Sequence, residues 1–136
     1  MARARRRSPS FRPDTRRRSE RTARLSETLR EVIADELAKI DDDRLSLVSI
    51  TSVDVDSEMN RGIVYFDSMT GEEGDAEIVE ALGEHRKRLQ SEIARQVQSR
   101  RTPVLQFAPD ETIRAAARID ELLRRDAERH RTGTNE

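Results

Sequence analysis

A helical pattern from Ala76 to Arg101 runs into Pro103 and is followed at once by the β-rich Val104-Leu-Gln-Phe107. Proline stops a helix because it lacks the N–H and its ring strikes the preceding turn. Ahead of the helix lies another β-rich run, Gly62-Ile-Val-Tyr-Phe-Asp-Ser68. A strand, a helix and a strand in that order imply a crossover that sets the third strand parallel to a neighbour, with a right-handed connection. Few topologies remain open to the chain after that.

Within the long pattern Ile78, Leu82, Leu89, Ile93 and Val97 share one face. At about 1.5 Å per residue the run would reach close to 40 Å, long for a small domain. The polar interruption His85-Arg86-Lys87 therefore predicts two helical segments with a bend between them. Upstream, Leu25, Leu29, Val32, Ile33, Leu37 and Ile40 fall at helical spacing, which predicts a helix from Thr22 to Ile40 ended by Asp41-Asp42-Asp43. Leu47 to Val55 alternates through Val48 and Ile50, then slips one residue to Val53 and Val55, the mark of a bulge. Asp56 to Arg61 is short enough to join it to the next strand as an antiparallel hairpin. Asp110 then caps a last helix carrying Ile113, Ala116, Ala117, Ile119, Leu122 and Leu123. The order is helix, strand, strand, bent helix, strand, helix: one small three-stranded sheet covered by helices, of the α+β class.

A length of 136 residues suggests one domain, and 34% hydrophobic against 39% charged residues leaves only a small core. The absence of cysteine excludes disulfides, a thiol nucleophile and a cysteine zinc site. No apolar run is long enough to span a membrane. The basic start is not followed by the apolar stretch of a secretory signal. Nothing resembles an active site or a cofactor site. His85 sits beside the apolar stripe and is expected to be structural, while His130 is expected to be solvated. Asp41-Asp42-Asp43 lacks the alternating acids, glycine and closing glutamate of a calcium loop and reads as a solvated turn. Gly71-Glu-Glu-Gly74 spells the loop with which KH domains clamp an RNA backbone. Its acidic centre, and its place after a strand, make it a surface turn instead.

The net charge of −1 hides strong segregation. Residues 1–24 carry +8, residues 26–66 carry −6, residues 67–84 carry −7 and residues 85–101 carry +5. Such blocks describe partners more than fold. Residues 1–20 are expected to form a basic arm, disordered in isolation, and residues 126–136 a polar tail. Arg86, Lys87, Arg88, Arg95, Arg100 and Arg101 are expected to form a ridge that tracks a phosphate backbone, with only Glu92 inside it as an offset. Arg16, Arg17, Arg18, Arg21 and Arg24 join that ridge if the first helix packs nearby. Tyr65 and Phe66 point to opposite faces and Phe107 belongs to the core, so no aromatic platform for single-stranded bases is expected.

At this point the residues resemble a family. Val48 to Phe66 is similar to the paired strands of bacterial ribosome-binding factor A, and Leu89 to Phe107 also resembles that family. Asp110 to Leu123 is similar to its final helix, and Arg21 and Arg24 match its basic first helix. The likeness covers about residues 19–125. It implies a type II KH-like fold without a working GxxG loop, over a domain of residues 21–125. It implies a non-enzymatic, cytoplasmic factor that binds the immature 30S subunit and its 16S rRNA. Such a factor assists late maturation, including that of the 5′ end, and leaves with the help of a ribosome-dependent GTPase. A monomer is expected. Two departures stand out. His85-Arg86-Lys87 occupies the place of the family's Ala-x-Gly kink, and Asp43 replaces a proline after the first helix. Two other readings remain open: a protein-interaction module whose acidic segment 67–84 docks a basic partner, and a KH-like binder of some other RNA.

Overall fold

The computed structural model describes residues 12–98 and 101–134. Helix α1 spans Arg12–Ala38, strand β1 Val48–Val55, strand β2 Arg61–Ser68, helix α2 Asp75–Glu84, helix α3 Arg86–Gln96, strand β3 Val104–Pro109 and helix α4 Glu111–Thr134. Sheet order is β1-β2-β3, with β1 antiparallel and β3 parallel to β2. The broken helix α2–α3 is thus the crossover that Pro103 predicts. The slip in the β1 pattern is a bulge: the pairing register jumps between Ile50 and Ser52, and Thr51 is the extra residue.

One face of the sheet carries the core. Ile50, Val53, Val55, Val64, Phe66, Leu105 and Phe107 are buried beneath Leu29, Val32, Ile33 and Leu37 of α1, Ile78 and Leu82 of α2, and Leu89 and Ile93 of α3. Period two in the strands and period 3.6 in the helices bring these residues to a single layer. In the hairpin, the Asp56 carboxylate accepts the N–H of Asn60 at 2.7 Å, and Met59 takes a left-handed φ of 64°. Gly71, at φ 72°, opens the turn between β2 and α2, where a side chain would be strained.

Three boundaries differ from the sequence expectation. Helix α1 begins at Arg12, inside the segment expected to be a disordered arm, while residues 1–11 lie outside the described residues. Pro13 sits in the first turn, where a missing N–H costs no hydrogen bond, and arginine is a good helix former, so the helix propagates upstream from Leu25. Helix α3 ends at Gln96, five residues before Arg101, because Val97 turns extended on its way to Pro103. Helix α4 runs on through Ala127 to Thr134, beyond the expected start of the polar tail.

The apolar stripe of α4 lies outside the core. Ile119 is 56% exposed, and Leu122 and Leu123 are each 63% exposed. The helix is anchored to the sheet through its first turns. Its N-cap Asp110 accepts the N–H of Ile113 at 3.0 Å and the hydroxyl of the bulge residue Thr51. Buried Arg114 reaches Asp75 at 2.6 Å and Asp67 at 3.1 Å. In urea unfolding, Leu89→Ala should cost about 2–5 kcal/mol as a core truncation. Leu123→Ala should cost less than about 0.5 kcal/mol.

Candidate nucleic-acid interface

The bend between α2 and α3 falls at His85, which has φ −96° and ψ 8°. Its N–H still reaches the carbonyl of Ala81 at 3.3 Å, and its own carbonyl accepts the N–H of Leu89 at 3.0 Å, so the helical bonding passes through the break. Side chains fix the break from outside. His85 Nε2 lies 3.0 Å from Asp42 Oδ2. Arg44 donates to Asp42 through Nε at 3.0 Å and Nη2 at 2.7 Å, and to Glu84 Oε1 at 2.7 Å. Asp42 also caps the short turn Asp43–Leu45 by accepting the N–H of Arg44. The loop after α1 is therefore tied down by ion pairs, and it is tied to the kink. The Arg44 hydrogen bonds, and then that of His85, hold the Asp42 carboxyl well below the usual carboxylate range.

Helix α3 starts from this anchored point with Arg86, Lys87 and Arg88, all exposed. Their surroundings differ. The Arg86 guanidinium lies 5.7 Å from the centre of the Phe107 ring and covers the edge of the core. Lys87 makes no ion pair among the described residues. Arg88 donates from Nε to Glu36 Oε2 at 2.7 Å. Glu36 belongs to α1, is only 7% exposed, and also has Lys39 at 3.8 Å. The expectation that only Glu92 offsets this basic block is therefore corrected. A second carboxylate arrives from another helix, because α1 packs against α3. Arg95 pairs with Glu92 within α3.

Of the remaining residues, Arg21 and Arg24 are exposed on α1 and make no ion pair among the described residues. Arg24 lies twelve residues ahead of Glu36, about 18 Å of helix rise. Arg16, Arg17 and Arg18 lie on the same helix. Arg101 does not continue α3 as expected. It precedes β3, and its Nη1 donates to Asn60 Oδ1 at 2.7 Å. Arg100 lies outside the described residues. The structure thus brings Arg86, Lys87, Arg88 and Arg95 onto one short helix and leaves Arg101 beside the β1–β2 hairpin.

Sequence reasoning missed three side chains that organise this surface. Glu36 had a readable signal, since it stands three and seven residues from Ile33 and Leu29, inside the apolar stripe. Arg114 had none, because its partners Asp67 and Asp75 are 47 and 39 residues away. Gln90 had none either; its Oε1 accepts the N–H of Leu105 at 3.2 Å on β3. The Gly71–Gly74 segment forms a short turn before α2, as expected, with Glu72 facing Arg118 at 3.2 Å. Among the described residues no helix is long and apolar enough to cross a membrane, and no three acidic or histidine side chains are grouped to hold a metal.

A three-stranded sheet, helices on one face, a broken crossover helix and a GxxG sequence displaced from that break define a type II KH-like α+β domain. The profile of the family described as Ribosome-binding factor A matches residues 21–123. The chain belongs to that family. It is 35% identical over 106 residues to the ribosome-binding factor A of Rubrobacter xylanophilus, covering 76% of this chain and 85% of that one. It is 36% identical over 110 residues to that of a Methylobacterium species, covering 78% of each. Among solved structures, the crystal structure of ribosome-binding factor A from Thermus thermophilus superposes with a TM-score of 0.59 at 32% identity, over 65% of this chain and 93% of that one. A homology model of the Thermus factor, fitted into the cryo-EM map of a complex of the 30S subunit with ribosome-binding factor A, gives a TM-score of 0.54 at 32% identity, over 64% and 92% of the two chains.

Because the Asp42 carboxyl titrates below its ordinary value in the folded chain, its contribution to stability is complete above about pH 4 and is lost as pH falls further. Asp42→Asn should therefore lower the thermal midpoint at pH 7. The gap to the parent should narrow as pH is taken from about 4 to about 2. An equal gap at both ends of that range would show that the latch does not depend on the carboxylate.

Proposed function

We propose that this protein binds the immature 30S subunit through 16S rRNA, using the arginines of α1 and the start of α3. The observation that carries the reading is the likeness, at 32% identity and over 92% of its length, to a factor fitted into a 30S complex. Charge supports it: Arg21, Arg24 and Lys87 are exposed and make no ion pair among the described residues, so their charge is available to phosphate. Guanidinium groups suit phosphate because their N–H donors form a planar fork. Recognition is by backbone and shape. Phe66 and Phe107 are buried, and Tyr65 lies half-buried on the opposite sheet face, which leaves little aromatic surface for stacking among the described residues.

The division into a basic arm (1–20), a ribosome-binding domain (21–125) and a polar tail (126–136) belongs to this proposal. So do assistance in late 16S rRNA maturation, including its 5′ end, release with a ribosome-dependent GTPase, and action as a cytoplasmic monomer without catalysis. The rival acidic docking segment 67–84 loses support, because Asp67 and Asp75 are held by Arg114, Glu72 by Arg118 and Glu84 by Arg44.

Co-sedimentation with immature small subunits at rising salt tests the reading. Each phosphate contact contributes a slope of about −0.7 to −0.9 in log affinity against log salt. Arg21→Glu with Arg24→Glu should flatten that slope by about 1.4–1.8, and Lys87→Glu by about half as much. Arg88 is a poor probe, because reversing it would set two carboxylates together at Glu36. Failure of the parent protein to co-sediment at low salt would overturn the proposal.

A further inference from the structure

Both outer strands of the sheet have a free edge, and the two are treated differently. On β3 the side chain of Gln90 takes up the N–H of Leu105. On β1 no side chain among the described residues covers the start of the strand in this way. The carbonyl of Leu47 accepts the N–H of Met69 at 3.2 Å, so Leu47 faces β2. Alternation along an antiparallel pair then turns the N–H and C=O groups of Val48 and Ile50 outward. Natural edges are guarded by lysine, proline, inward charges or bulges. Val48-Ser-Ile50 has none of the first three, and the bulge at Thr51 comes only after it.

Beside this open edge runs a groove of about 590 Å³ between α1 and the start of β1. Ala34, Leu37, Ile40, Val48 and Ile50 line it with apolar surface. Asp41 and Asp43 stand at the same groove, both exposed. Neither carboxylate has an ion-pair or hydrogen-bond partner among the described residues, in contrast to Asp42 between them.

We infer that the α1–β1 groove is a docking site for an extended, basic protein segment. The segment adds to the sheet beside Val48–Ile50, sets alternate apolar side chains against Leu37 and Ile40, and meets Asp41 and Asp43 with arginine or lysine. Strand addition of this kind takes its affinity from main-chain hydrogen bonds and its specificity from the alternate side chains. Arg30, the basic residue that lines the groove, is paired with Glu27, so the charge left available there is that of Asp41 and Asp43; it repels a phosphate backbone, and this surface is separate from the basic one assigned to rRNA.

The test uses the full-length, isotope-labelled protein and a six-residue peptide of alternating arginine and valine, at low ionic strength. Saturable amide shifts are expected at Val48–Ile50 and along Ala34–Ile40. Asp41→Asn with Asp43→Asn, both surface changes, should weaken binding about three- to tenfold. The same peptide N-methylated at alternate amides should not bind, which checks strand pairing without altering the protein. Any of four results overturns the proposal: no shifts at millimolar peptide, shifts confined to α3 or α4, equal binding by a glutamate–valine peptide, or groove shifts produced instead by a 16S rRNA oligonucleotide.

Discussion

The packing of one sheet face against α1, α2 and α3 is the constraint on which everything else in this molecule rests. With about a third of its residues apolar, the chain can cover one face of three strands and little more. Phe66, Val64 and Leu105 are fully buried at the centre of that face, and Leu29, Ile33, Leu82, Leu89 and Ile93 close over them. The parallel pairing of β2 with β3 demands a long crossover, and the crossover must lie flat on the sheet to bury its stripe. A straight helix of that length would overhang the sheet. Breaking it at His85 lets each half seat separately, Ile78 and Leu82 on one side and Leu89 and Ile93 on the other.

Because apolar surface is scarce, charged side chains join the elements where they leave the core. Arg114 ties the first turns of α4 to the end of β2 and the start of α2. Arg44, Asp42 and Glu84 tie the loop after α1 to the kink. Glu36 and Arg88 tie α1 to α3. Each of these removes a charge from the pool open to partners. A linear sum over residues 85–101 therefore overstates the basic surface on α3, and a sum over 67–84 overstates the acidic one. What is left unpaired among the described residues is more telling: Arg21, Arg24 and Lys87 on one hand, and Asp41 and Asp43 beside an open strand edge on the other.

Much of the architecture was legible in the order of residues. The alternation and slip of Val48, Ile50, Val53 and Val55 located a strand and its bulge, since a period of two is a direct consequence of the pleat. Pro103 located the end of the crossover, and Asp110 the cap of the last helix. Helix ends were less legible: nothing local told that α1 would extend to Arg12 or that α3 would stop at Gln96. The stripe of Ile119, Leu122 and Leu123 carries the same period as a core stripe, and period alone does not say whether a partner surface exists.

For the site, the sequence by itself determined the inventory: which segments are basic, which are acidic, and that arginine is the chosen cation. Residue type and spacing suffice for that, because charge and periodicity are local properties. Only the tertiary structure decided which charges remain available. The partner of Arg88 lies 52 residues away and that of Arg114 up to 47 residues away, and such pairings arise only when helices and strands are packed. Ion pairing falls off over a few ångströms of space, and distance along the chain does not measure it.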